Sequence, residues 1–406
     1  MAIVFWASIG LIVYVYAGYP LLLAVWARWC GMRQAPGGMN GELIWPGVSI
    51  VIAARNEGSR LAARIENLLS LDYPASRRQI IVVSDGSTDE TLDVLFRYQK
   101  VAHVISVPAG GKANALNVGV ARATNEIVVF ADARQVFARD ALRELVAPFA
   151  DPEVGGVSGE LLLDAESALF SNRREAKDRR RGHAGQLRSS AIERRLADRR
   201  RSVASTIADG VGMYWRYEKR LRRLESEVGS MLGATGAIYA IRRSLWRPLP
   251  ADTVLDDVLT PMRIVLQGFR VVFTERARAF DRAAVDAEQE AQRKVRTLAG
   301  NYQLLALEPR LLLPWRNPVW LQYVSHKLGR LAVAYALLTM FTATIALAAS
   351  DWIYMAALVA QVSFYLLAGY GALGELSARR QISRASARRA DERAKAVAGD
   401  PLQGVA

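Results

Sequence analysis

Cysteine is almost missing from this chain: Cys30 is the single one in 406 residues. That excludes a disulfide framework and any cysteine cluster with structural-zinc spacing, and it suits a reducing compartment. No internal repeat is visible. No helix-turn-helix, zinc or RNA-binding aromatic pattern accompanies the formal net charge of +14, so nucleic acid is not the expected partner. The positive balance points instead to anionic lipid or phosphorylated substrates. About half of the residues are apolar (51%), which rules out disorder throughout and leaves enough for a sizeable core.

Charge is absent from residues 2–27, a run long enough to span a bilayer. The run has neither the basic start nor the small-residue cleavage site of a secretory signal, so it is expected to stay attached. Two more uncharged runs, 331–349 and 352–371, are joined only by Ser350 and Asp351 and read as a helical hairpin. Arg28 and Arg33 follow the first run, Lys327 and Arg330 precede the second, and Arg379 and Arg380 follow the third. All fall on one side, which the distribution of cations makes cytosolic. Buried core helices of a soluble protein would have no reason to carry cations on one common side.

Between these runs, short β-branched stretches (VSIVIAA at 48–54, QIIVVS at 79–84, EIVVFAD at 126–132) alternate with helical patterns, which predicts a parallel α/β sheet. Ligands of such sheets sit beyond the carboxyl ends of the strands. There the chain places Arg55-Asn56-Glu57, SDGSTD (84–89) and Asp132-Ala133-Arg134. Residues 171–203 differ in kind, with twelve Lys or Arg and four acids between Asn172 and Arg201. They read as a solvated helix or loop, or else as a patch for anionic headgroups. The segment after Arg379 reads as a short basic cytosolic tail.

ARNE (54–57), SDGSTD (84–89), GGKANALN (110–117), DAR (132–134), GATGAIYAIRR (233–243), LDDV (255–258) and RKVRT (293–297) stand in one order. In that order and spacing the chain resembles the processive and related membrane-bound members of glycosyltransferase family 2 over roughly residues 45–305. The resemblance implies an α/β GT-A nucleotide-diphospho-sugar transferase fold with one N-terminal and two C-terminal transmembrane helices. It divides the chain into a span at 1–27, a cytosolic domain at 45–305, an interfacial segment at 306–330, a membrane hairpin at 331–371 and a tail at 372–406. It also implies an inverting transferase at the bacterial inner membrane. The donor would be a nucleotide diphosphate sugar, UDP favoured, the acceptor a lipid-linked or glycan hydroxyl, and the partners proteins of envelope synthesis.

The same resemblance assigns roles. Glu57 and Asp85 would take the nucleoside, although Asp85 has the alternative of a turn residue, and Asp89 reads as a helix cap. Lys112, before a helix N-terminus, would face the diphosphate. The family usually places two aspartates around one residue to hold a divalent metal, Mg or Mn; here Arg134 replaces the second. Either Asp132 ligates the metal with help from phosphate oxygens, or Arg134 pairs with the diphosphate directly, on the order of 4 kcal/mol at an effective dielectric near 20. Asp257 would be the base that takes the acceptor proton, with Asp256 beside it in the substrate site. On extended chain the two would point to opposite sides; the alternative is an acid pair at a helix start. Arg293 and Arg296, three apart on a helix, would clamp the diphosphate. Thr297 stands where the family carries tryptophan, so an acceptor sugar lacks its stacking surface and long-chain processive synthesis is not expected. The rival readings are a short-polysaccharide synthase and exporter, and a non-catalytic sugar-nucleotide-binding relative. Trp215, Tyr217 and Trp246 read either as sugar-stacking faces or as packing.

Overall fold

The computed structural model describes residues 1–29, 45–163, 215–281 and 287–371. The basic segment 171–203 and the tail 372–406, both singled out by sequence, lie outside the described residues.

Eight strands form one sheet: β1 (Val48–Ala54), β2 (Arg78–Asp85), β3 (His103–Val107), β4 (Ile127–Ala131), β5 (Val136–Phe137), β6 (Val154–Leu163), β7 (Ile238–Arg242) and β8 (Arg270–Asp281), in the order β3-β2-β1-β4-β7-β6-β8-β5. β1 pairs in parallel with β2 and β4, and β2 with β3. The expectation of a parallel sheet holds for this half only. β7 runs antiparallel to both β4 and β6, while β6 returns parallel to β8. The cause is local: helix Gly111–Ala121 makes a parallel crossover from β3 to β4, whereas β7 arrives after residues 164–237 and lies on β4 from the opposite direction.

Alternation along β1 splits the core. Ile50 and Ile52 pack with Leu61, Ile65 and Leu68 of helix Gly58–Leu69 on one face. Val51 packs with Ala113 and Leu116 of helix Gly111–Ala121, and with Leu259 and Met262 of helix Asp256–Leu266, on the other. Helices therefore cover both faces, and the parallel strands release Glu57, Asp85 and Asp132 at one end of the sheet.

Among the described residues three helices are long and apolar enough to cross a membrane: Ala2–Trp29, Trp320–Leu347 and Trp352–Gly371. The first two each contain a π-helical turn, at Tyr14–Gly18 and Tyr323–Leu328. Two compact units emerge, one from Tyr16 to Arg330 and the other from Met1–Val15 with the described residues from Leu331 on. Within the smaller unit, Phe5 meets Tyr354 edge to face at 5.0 Å, Ser8 Oγ lies 3.1 Å from Thr339 Oγ1, and Gln361 donates to Thr344 Oγ1 at 3.0 Å. Phe364, Leu366 and Leu367 stay exposed there, as a lipid-facing helix requires.

Candidate active site

The strand ends are shaped by their own loops. Asn56 adopts φ 55°, a left-handed conformation that asparagine tolerates, and its Oδ1 accepts from the Thr88 N–H at 2.8 Å. Asp89 behaves as a cap, accepting from the Gly58 N–H at 3.2 Å and the Thr91 N–H at 3.0 Å. Glu57 accepts from Arg60 at 2.8 Å and stays partly exposed beside β1.

Asp85 is buried at the end of β2, and its carboxylate accepts from the Gly110 N–H at 2.7 Å and the Gly111 N–H at 3.0 Å. Gly111 has φ +86°, which a side chain would strain, so this carboxylate and this glycine together set the turn that precedes Lys112. Sequence reasoning placed Asp85 on a nucleoside; the geometry adds the job of holding the lysine loop.

Lys112, in the first turn of its helix, reaches Asp256 Oδ1 at 3.2 Å and Asp132 Oδ1 at 3.4 Å. Burial alone would lower its ammonium, but the carboxylates of Asp256, Asp132 and Asp257 outweigh that and hold it above the ordinary lysine value. About a third of the side chain remains exposed, enough to meet a ligand.

Asp256 and Asp257 occupy the first turn of helix Asp256–Leu266. The extended arrangement is therefore replaced by the helix-start alternative, where the dipole favours carboxylates. Asp256 is buried, with Oδ2 unpartnered among the described residues. Burial, and then the charge of Asp256, push the Asp257 carboxyl up to about 6, while Lys112 and Lys327 pull it the other way. The loop 233–236 lies against Asp257: its carbonyl accepts from the Ala234 N–H at 2.7 Å, and a Cβ on Gly236 would stand 2.8 Å from Asp257 Oδ2. That glycine is what lets the loop approach.

Other predicted residues are placed less centrally. Arg134 is exposed, with no hydrogen bond or ion pair among the described residues. Arg293 and Arg296 share helix Ala287–Leu307; Arg296 donates to the Val254 carbonyl at 3.3 Å, just before Asp256, and Arg293 lies over Trp215 at 6.0 Å. Trp246 stacks on Phe130 at 5.4 Å and Tyr217 donates to the Tyr16 carbonyl at 3.2 Å, which is packing in both cases.

Two buried residues escaped sequence reasoning. Tyr239 on β7 is buried, and burial, followed by the charges of Asp256, Asp257 and Asp132, raises its phenol well above the ordinary value. A tyrosine inside the apolar run AIYAI was its only signal. Arg64 lies over the Phe137 ring at 4.1 Å and donates to Asn67 Oδ1 at 2.8 Å, while its Nε and Nη2 find no partner among the described residues. Burial lowers this guanidinium to about 9 against the opposing charge of Asp132.

Among the described residues no three His, Cys, Asp or Glu converge as a metal cage. Asp132 offers one carboxylate. Such a donor set fits an ion held mainly by phosphate oxygens and water.

Residues 49–219 match the family described as "Glycosyl transferase family 2". Over 150 residues the chain is 33% identical to the beta-monoglucosyldiacylglycerol synthase of Synechocystis sp., covering 35% of this chain and 31% of that one. Over 128 residues it is 32% identical to the poly-beta-1,6-N-acetyl-D-glucosamine synthase of Staphylococcus epidermidis, covering 30% of this chain and 31% of that one. The chain thus spans about a third of the length of these curated relatives. In fold it is similar to a mannosyltransferase from Pyrobaculum calidifontis, solved in complex with GDP-Man and Mn2+, with TM-score 0.63 and 24% identity over 90% of this chain and 92% of that one. The family match over residues 49–219 and this likeness in fold show that the chain carries a glycosyl transferase family 2 domain of the GT-A fold.

Proposed function

We propose that this chain is an inverting, multi-pass glycosyltransferase of the bacterial inner membrane. Its GT-A domain would face the cytosol and move one sugar from a nucleotide diphosphate donor to a lipid-linked or glycan acceptor at the membrane surface. The observation that carries this reading is Lys112 held between Asp132 and Asp256, with Asp257 next along the same helix turn. One raised carboxyl beside one cation is what displacement of a diphosphate by a hydroxyl needs. The two relatives are named for a glycolipid and a polysaccharide product, which supports a lipid-linked or glycan acceptor here.

In this mechanism the Asp257 carboxylate accepts the acceptor proton as the hydroxyl oxygen attacks the anomeric carbon from the face opposite the diphosphate. The bond from that carbon to the diphosphate breaks, and the leaving group departs with its electron pair. Lys112 would take part of the developing negative charge, and Arg293 and Arg296 would add theirs on the diphosphate. Glu57 and Asp85 lie at the strand ends where the nucleoside would sit. Asp132 would hold a divalent ion, which when bound supplies charge neutralisation on the diphosphate. Arg134, being exposed, would meet a phosphate only from the solvent side.

The test is nucleotide diphosphate release by detergent-solubilised protein given UDP-, GDP- and dTDP-sugars with native lipid extract, with Mn²⁺, Mg²⁺ or EDTA, beside Asp257→Asn. Release from one donor that disappears in the variant supports the proposal. Donor binding without turnover in any lane would overturn it in favour of a non-catalytic sugar-nucleotide binder.

A further inference from the structure

Helix 215–228 has two opposite faces. Its inner face packs on the C-terminal half of Ala2–Trp29 and on the start of Trp320–Leu347. Tyr217 donates to the Tyr16 carbonyl at 3.2 Å, Arg330 pairs with Glu218 at 2.5 Å, and Tyr19 donates to Glu225 at 2.9 Å. His326 Nδ1 lies 2.6 Å from that same Glu225 oxygen, and Leu221 packs with Tyr19 and Leu23. The outer face carries exposed Arg216, Arg220 and Arg223, whose spacing makes one stripe. With Lys219, Leu224 and Glu275 they line a shallow depression of about 390 Å³.

The charges in this depression are unequally satisfied. Lys219 is held by Glu160 at 2.7 Å and Glu275 at 3.0 Å, and Arg223 by Glu227 at 2.9 Å. Arg216 and Arg220 have no ion pair or hydrogen bond among the described residues.

Depth is set by the partners of the inner face. Arg330 is the last charge before the uncharged run that starts at Leu331. Ala2–Trp29, at 28 residues, is about 42 Å long against a hydrocarbon core of about 30 Å. Two turns or so must therefore emerge, and Arg28 marks the emerging end. Trp26, within those two turns, is an aromatic residue of the kind found at a membrane interface. Helix 215–228, paired through Glu218 to Arg330 where the uncharged run begins, would then lie near the headgroups, with Arg216 and Arg220 open to a lipid phosphate.

We infer that Arg216 and Arg220 form a binding site for the phosphate of an anionic phospholipid, which docks helix 215–228 on the bilayer surface. This rests on the membrane reading proposed above. The same helix reaches the loop beside the candidate base, because Arg222 donates to Thr235 Oγ1 at 2.9 Å, one residue before Gly236.

The experiment uses the full chain in neutral detergent, titrated with phosphatidylglycerol or phosphatidylcholine and read by native mass spectrometry. Arg216→Gln/Arg220→Gln is compared with Arg216→Lys/Arg220→Lys, and thermal unfolding verifies that both fold. Wild type should retain phosphatidylglycerol over phosphatidylcholine, the Gln pair should lose roughly thirtyfold of that affinity, and the Lys pair should keep most of it. Equal retention of both lipids by wild type, or an unchanged preference in the Gln pair, overturns the site. So does binding of a duplex oligonucleotide through these arginines without discrimination between the lipids. Alkaline carbonate extraction of cell membranes separates the two failures: a chain released to the aqueous phase sinks the membrane reading itself, whereas a retained chain lacking lipid preference sinks only the headgroup site.

Discussion

Lys112 Nζ stands 3.2 Å from Asp256 Oδ1, so a helix-start lysine and a helix-start aspartate neutralise each other across the candidate site. On the proposed reading, a diphosphate entering here would compete for that ammonium. Lys112→Ala should lower kcat/KM about 100- to 1,000-fold and weaken nucleotide diphosphate binding by calorimetry. Lys112→Arg keeps the charge and should recover part of both. An alanine variant that binds and turns over donor like wild type would remove Lys112 from the mechanism.

In the proposed reaction Asp257 would carry the pH dependence. Its carboxyl is pushed up to about 6 by burial and by Asp256, and only the deprotonated form accepts a proton. Turnover should therefore rise through pH 6 and level off above it, and Asp257→Asn should fall about 1,000-fold or more and show no such limb. A flat profile between pH 5 and pH 7 in wild type would contradict the assignment.

The parts legible in the sequence were those that depend on local pattern. Glu57, Asp85 and Asp132 follow β-branched runs, so strand ends predicted their common edge; Lys112 follows a glycine pair that opens a helix. What escaped depends on pairings between distant segments. Tyr239 matters because β7 lies beside β4, placing its ring 4.5 Å from Phe130. Arg64 matters because Asn67 and Phe137, 70 residues apart, exchange hydrogen bonds beneath the DAR loop. Arg134 was read for its charge alone, and exposure leaves it outside the cluster. The acid pair was ambiguous because LDDV alone does not say whether the chain stays extended or opens a helix, and the structure puts both acids in the first turn of helix Asp256–Leu266.

Packing of the 233–236 loop against Asp257 makes Gly236 a sensitive position. A Cβ there would lie 2.8 Å from Asp257 Oδ2, closer than real side chains approach, and the carboxylate must rotate or the loop retreat. Gly236→Ala should reduce kcat about 10- to 100-fold while KM for the donor stays near wild type, because the base moves and the lysine loop does not. Unchanged kcat would mean that Asp257 has freedom the packing does not suggest.

Glu218 should hold the helix junction together more by charge than by area. Its carboxyl would be raised by burial, but His326 and Arg330 outweigh this and keep it well below the usual carboxylate range. Because the folded value is depressed, the stabilisation is present above the unfolded glutamate value near 4.3 and is lost as pH falls below it. Glu218→Gln leaves Arg330 and His326 facing a neutral amide and should cost about 3 kcal/mol at pH 7, measured by unfolding in detergent. The gap between wild type and variant should narrow below about pH 4, as the carboxyl gains its proton in the unfolded chain while the folded one still holds its charge. A gap that is constant with pH would assign the loss to packing, and no gap would mean that Arg330 finds equal solvation without its partner.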